Sequence, residues 1–135
     1  MDQSVFALEM AVRDYECDLQ GVVNNAVYQN YLEHARHEYL KSIGIDFAAL
    51  AAAKINLVVV RVEIDYRLPL TSGDRFVVEL KPERLSPVRI GFRQLIRRLP
   101  DRKEVVTALV VGTALNARGR PQLPDALAER LRPQP

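Results

Sequence analysis

Apolar residues recur along this chain with two different periods, and the switch between them outlines the fold. Phe6, Leu8, Met10 and Val12 alternate with Ala7, Glu9, Ala11 and Arg13. A period of two predicts a strand with one buried face. Residues 14–23 break the alternation and predict a loop. From Asn25 onward, Val27, Tyr28, Tyr31, Leu32, Ala35, Tyr39, Leu40 and Ile43 return at steps of three and four. That spacing is one face of a helix of roughly five turns. Asn24 or Asn25 suits the N-cap, where a short side-chain oxygen can accept an orphan N–H, and Gly44 suits the stop. Phe47–Ala53 predicts a second, short helix.

Beyond that point the pattern returns to strands. Val58, Val60, Val62, Ile64 and Tyr66 alternate with charged Arg61, Glu63, Asp65 and Arg67. Ser72-Gly73-Asp74 is a turn, and Phe76, Val78 and Leu80 open a strand reaching about Leu85. Ser86-Pro87 turns the chain into Val88–Leu99, and Pro100–Lys103 into Glu104–Asn116. The proline-rich tail from Arg118 holds one short turn of helix over Asp125–Leu131 and then frays. Strand, long helix, then four strands on short turns predicts an α+β domain spanning 1–135, its later strands mostly antiparallel neighbours and one helix covering a sheet face. The charged strand faces must meet either water or a partner subunit.

Composition narrows the setting. The chain has 135 residues, 48% of them hydrophobic, with a formal net charge of +2. That length supports one real core, and that charge is too small to argue for nucleic acid. The charge is uneven, however: Arg84, Arg89, Arg93, Arg97, Arg98, Arg102 and Lys103 crowd one stretch. They suit either phosphates or a solvated sheet face. A single cysteine, Cys17, excludes an internal disulfide framework and fits a reducing compartment. With no leader and no apolar run long enough for a bilayer, the expected location is cytoplasmic, or that of the mature form of an imported protein.

The candidate chemistry lies between the first strand and the long helix. Asp14, Glu16 and Asp18 precede Gly21, Asn24 and Asn25. An acid just ahead of a helix N-terminus supplies a base or nucleophile together with N–H donors for an oxygen that becomes negative. Asp14 and Glu16 could share one side of an extended segment with Asp18. Glu33 and Arg36 are spaced to pair on the helix, and Glu33 is a reserve acid. His34 and His37 invite a metal, but His37-Glu38 is followed by Lys41 where a zinc motif needs its second histidine, so no metal is expected. Cys17 has no basic neighbour and reads as a small buried residue.

The segment Asp18-Leu-Gln-Gly21-Val22-Val23-Asn24-Asn25-Ala-Val-Tyr28, followed by Glu33 and Arg36, resembles the 4-hydroxybenzoyl-CoA thioesterase family of the hot-dog fold. The family pattern is Asp-x-x-Gly-(aliphatic)-Val-x-Asn-x-x-Tyr. The stretch Gly21–Tyr28, with Arg13-Asp14-Tyr15, is most similar to the acyl-lipid thioesterases that act on acyl carrier protein. The resemblance implies an antiparallel sheet wrapped around one long helix, and a thioesterase releasing a free acid from acyl-CoA or acyl carrier protein. Fatty or 3-oxoacyl chains are favoured, with an aromatic acyl-CoA or a non-catalytic acyl-binding role as alternatives. It implies Asp18 as the catalytic carboxylate, acting by direct attack or through water, and the helix start at Asn25 as the oxyanion donor. Gly21, Asn24 and Tyr28 would line the substrate. Arg84, Ser86 and Arg89 match the family's carrier-binding turn loosely, since Leu85, Ser86 and Pro87 stand where the benzoyl enzyme has a basic cluster. No cofactor is implied. A homodimer with sites at its interface is, and with it a tetramer of two dimers.

Overall fold

The computed structural model describes residues 5–131. Five strands form one antiparallel sheet: β1 Phe6–Ala11, β2 Asn56–Tyr66, β3 Arg75–Arg84, β4 Arg89–Leu99 and β5 Glu104–Leu115. Their spatial order is β1-β3-β4-β5-β2. The turns do join β3, β4 and β5 as neighbours. β2 crosses to the far edge and pairs with β5 rather than with β3, which follows it in sequence. Helix α1 spans Asn25–Ser42, α2 Phe47–Ala52 and α3 Asp125–Arg130. The fraying expected beyond 131 lies outside the described residues.

α1 lies across the sheet because its stripe demands burial. Tyr28, Tyr31, Leu32, Ala35, Tyr39 and Leu40 are all buried. They meet Phe76, Val78 and Leu80 of β3, each fully buried, and Ile96 of β4. Tyr31 sits 4.6 Å from the Phe76 ring. Truncating an aromatic so enclosed typically costs about 3–5 kcal/mol. Toward the C-terminal end of α1, Tyr39 and Leu40 share a second cluster with Phe92, Val110, Leu123 and Leu127, so α3 closes that end. Among the described residues no helix is long and apolar enough to cross a membrane.

β2 departs from the expected alternation. A bulge between Val59 and Arg61 slips the register by one residue. Val62, Ile64 and Tyr66 stand opposite Val110, Ala108 and Val106, but upstream it is Leu57 and Val59 that oppose Ala114 and Gly112. Paired residues share a face, so Val58 and Val60 leave the face assigned to them by period two. The strand also stays open: Val59, Val60, Val62 and Tyr66 are 39–49% exposed.

The basic stretch is spent locally. Arg93 pairs with Glu83 at 2.9 Å, Arg97 and Arg102 with Glu79 at 3.4 and 3.0 Å, and Arg98 with Asp101 at 2.7 Å.

Candidate active site

Between β1 and α1 the chain folds into a small hydrogen-bonded loop. Residues Asp14–Glu16 form a single 3-10 turn, so the three acids do not share one side of an extended segment. Ser72 donates to Asp14. Glu16 accepts from the Arg13 N–H at 2.8 Å, the Arg13 guanidinium at 3.1 Å and the Tyr31 hydroxyl at 2.7 Å. Its carbonyl also accepts the Asn24 N–H at 3.0 Å. One residue thereby ties the strand end, the helix start and the helix body together.

Cys17 and Val23 face each other across a narrow antiparallel bridge, with Asp18 N–H donating to Val22 O at 2.9 Å. Asp18 Oδ1 accepts the N–H groups of Gln20 at 2.8 Å and Val22 at 3.4 Å. Among the described residues Oδ2 has no donor, and the side chain is exposed. Gly21 closes the turn at φ +82°, and nothing lies within 4 Å of where its Cβ would be. The positive φ is a backbone angle that favours glycine there. Val23 N–H reaches Leu70 O at 2.9 Å and anchors the loop to the segment before β3.

Asn24 is the N-cap, its Oδ1 accepting the Ala26 N–H at 2.9 Å, and its carbonyl takes the Val27 N–H. The Asn25 N–H is left with no acceptor among the described residues, and the residue is exposed. A free N–H at the positive end of an 18-residue helix is a donor already in place for an oxyanion. Asp18 and Asn25 thus belong to one hydrogen-bonded segment.

Other expected residues are used differently. Tyr28 is 3% exposed and its oxygen accepts the Leu70 N–H at 3.0 Å, so it is core rather than substrate wall. Arg36 does not pair with Glu33; its Nη1 donates to Gln94 Oε1 at 3.1 Å, while Gln94 Nε2 donates to Leu32 O at 3.0 Å. Burial holds the Arg36 guanidinium below its usual range, with Glu33 opposing the shift. Glu33 faces His37 at 3.9 Å, and His37 packs against Phe47. Burial first, then the neighbouring carboxylates of Asp14, Asp18, Glu16 and Asp74, push the half-buried Cys17 thiol up, against a nucleophilic role. Among the described residues no group of three metal-ligating side chains gathers.

Arg84, Ser86 and Arg89 sit at the other end of the sheet. β3 begins beside the Asp18 loop and its ten residues carry the chain roughly 30 Å away. Arg84 donates to the carbonyls of Ser86 and Pro87, and Ser86 Oγ accepts the N–H of Val88 and Arg89. Those two residues hold the turn. Of the three, Arg89 keeps its guanidinium free among the described residues.

The sequence pointed to Asp18 and Asn25 but missed the Glu16–Tyr31 contact, the Gln94 bridge and the Tyr66 hydroxyl, which reaches Asn25 O at 3.4 Å. Tyr31 reads as one more apolar position of a helical stripe; no local signal marks its hydroxyl.

Residues 12–131 match the family model described as the thioesterase-like superfamily. The acyl-acyl carrier protein thioesterases ATL3 and ATL2 of Arabidopsis thaliana, both chloroplastic, are 39% and 42% identical to this chain. The matches cover 91% and 84% of this chain and 65% and 61% of those proteins, so it spans under two thirds of their length. In fold, the chain superposes on the crystal structure of Slr0204, a 1,4-dihydroxy-2-naphthoyl-CoA thioesterase from Synechocystis, with a TM-score of 0.89. The identity is 20%, over 95% of this chain and 96% of the other.

Proposed function

Because this chain belongs to the thioesterase-like superfamily, we propose that it hydrolyses an acyl thioester to a free carboxylic acid and a thiol. The observation that carries this reading is the pairing of a carboxylate oxygen and a main-chain N–H, both free, on one hydrogen-bonded segment. A thioester carbonyl polarised by the Asn25 N–H is open to attack. Asp18 Oδ2 either takes a proton from the attacking water or itself adds to the carbonyl, forming an anhydride that water opens. In both routes the C–S bond breaks and the thiolate leaves with the carrier. The oxygen charge that develops on the way is what the helix start stabilises.

The acyl group is fatty or 3-oxoacyl, and its carrier is acyl carrier protein, which the names of ATL3 and ATL2 print, or CoA. The working unit is a homodimer formed along the open edge of β2. A two-fold axis across antiparallel β2 edges turns one protomer end for end. That brings the Arg89 end of one copy toward the Asp18 end of the other, which a single protomer holds about 30 Å apart. A tetramer would be two such dimers.

Free-thiol release from a panel of short, long and aromatic acyl-CoAs and matching acyl carrier proteins tests the reading, with sedimentation run alongside. Asp18→Asn is expected to lose about three powers of ten, near 4 kcal/mol, in turnover. Equal rates for wild type and variant would end the assignment.

A further inference from the structure

The face of α1 that begins at Asn25 continues through Gln29, Glu33, Arg36 and Leu40, at steps of three and four. It forms one wall of a groove against β2. A cavity of about 250 Å³ lies between Gln29, Asn30 and Glu33 on one side and Val59, Val62 and Val110 on the other. It shares Glu33, Arg36, Val59 and Val110 with a second cavity of about 340 Å³. That second space is apolar at its far end, where Leu40, Phe47, Leu50, Leu57, Phe92 and Leu127 converge. The two adjoining cavities thus follow α1 from Gln29, one turn beyond Asn25, to a greasy terminus built by α2 and α3.

We infer that this terminal cavity holds the end of a long unbranched acyl chain, and that α2 sets how long a chain is accepted. This rests on the thioesterase reading. The length argument is geometric. From Asn25 to Leu40 the helix rises roughly 22 Å. An extended alkyl chain advances about 1.3 Å per carbon, given C–C bonds of about 1.5 Å, so a chain of about 16 carbons starting at Asn25 ends among these side chains. An aromatic acyl group is far too short to reach them. Arg36, which lines both cavities, is anchored through Nη1 to Gln94. α2 carries Ala48, Ala49, Ala51 and Ala52, and of these Ala51 lines the cavity. A small residue there leaves depth that a large one would remove.

Equilibrium binding of hexadecanoate and octanoate reads this directly, with no catalysis required. Wild type is expected to hold hexadecanoate at least tenfold more tightly than octanoate. Ala51→Trp should erase that preference while leaving octanoate binding intact. Ala52→Trp, on the same short helix but outside the cavity lining, should behave as wild type. Hexadecanoate bound equally well by Ala51→Trp, or no preference for the longer acid in wild type, overturns the inference. Failure of the thioesterase reading would look different: fatty acid binding with this pattern but no thiol release from any thioester.

Discussion

The Tyr31 hydroxyl donates a 2.7 Å hydrogen bond to Glu16 Oε1, joining the second turn of α1 to the turn just ahead of Asp18. The same carboxylate holds Arg13, and the same residue's carbonyl holds the Asn24 N–H. The position of the Asp18 loop relative to the helix start is therefore set through Glu16, which need not touch a substrate.

Removing that hydroxyl should cost both stability and alignment. Tyr31→Phe keeps the ring against Phe76 and deletes one hydrogen bond to a charged acceptor, a loss of about 2 kcal/mol. Urea unfolding checks the stability. Turnover on the best thioester should show kcat falling several-fold with KM little changed, because misplacing a reacting group weakens the transition state more than binding. A fall confined to stability would mean that the clamp does not orient Asp18.

Asn25→Pro isolates the proposed oxyanion donor. Proline fits the first position of a helix, where its missing N–H has no helical partner. Asn24, at φ −63° and ψ 140°, already has the conformation required before proline. The variant should fold as wild type and lose 10²- to 10³-fold in kcat, about what removing one oxyanion donor costs. Asn25→Ala should retain nearly full activity. Circular dichroism and steady-state kinetics on the pair decide the point.

Gln94 is the second buried link between sheet and helix. Gln94→Leu would strip the half-buried Arg36 of its hydrogen-bond partner and should destabilise the fold by about 2–3 kcal/mol. Arg36→Met in the same chain should recover part of that loss, since the unpaired charge goes with it. A double-mutant cycle in denaturant measures the coupling, and additive effects would mean that the two side chains act independently.

Three tyrosines make the fold sensitive to alkali. Burial raises Tyr28, Tyr31 and Tyr39 above the ordinary value of 10, most strongly Tyr31, where the hydrogen bond with Glu16 adds to it. A group that keeps its proton longer when folded contributes its full stability below the unfolded value. That stability is lost as pH rises toward the folded value. Stability should hold up to about pH 10 and then fall. Tyrosinate absorbance for these residues should appear together with unfolding, not ahead of it. Tyr31→Phe should flatten the alkaline slope. Smooth titration of all five tyrosines in the folded state would contradict this.

Local pattern carried much of the architecture. The stripe from Tyr28 to Leu40 fixed α1, and Gly44 with Asn24 fixed its ends. Alternation failed in β2, because a bulge inserts one residue and reverses the faces upstream of it, and nothing in Val58–Val62 announces where the slip falls. Strand order was equally hidden. The jump of β2 to the edge beside β5 is decided by how the sheet curls over α1, not by residues within β2. In the site, the loop motif exposed Asp18 and Asn25, since their spacing is local. Glu33 and Arg36 were also locally spaced to pair, yet Gln94 takes Arg36 instead, across 58 residues of sequence. A buried amide that satisfies a helix carbonyl and a guanidinium at once outcompetes a solvated ion pair on a helix surface.

The free N–H at the start of α1 belongs to the peptide, not to the side chain of residue 25. Nineteen of the twenty amino acids would supply it equally. Tolerance to substitution at that position is therefore uninformative about its importance. On the proposed mechanism the penalty is displaced onto Asn24 and Glu16, whose oxygens hold the start of α1 in place. A map of function drawn by truncating side chains would then colour these two supports and leave the proposed donor atom blank.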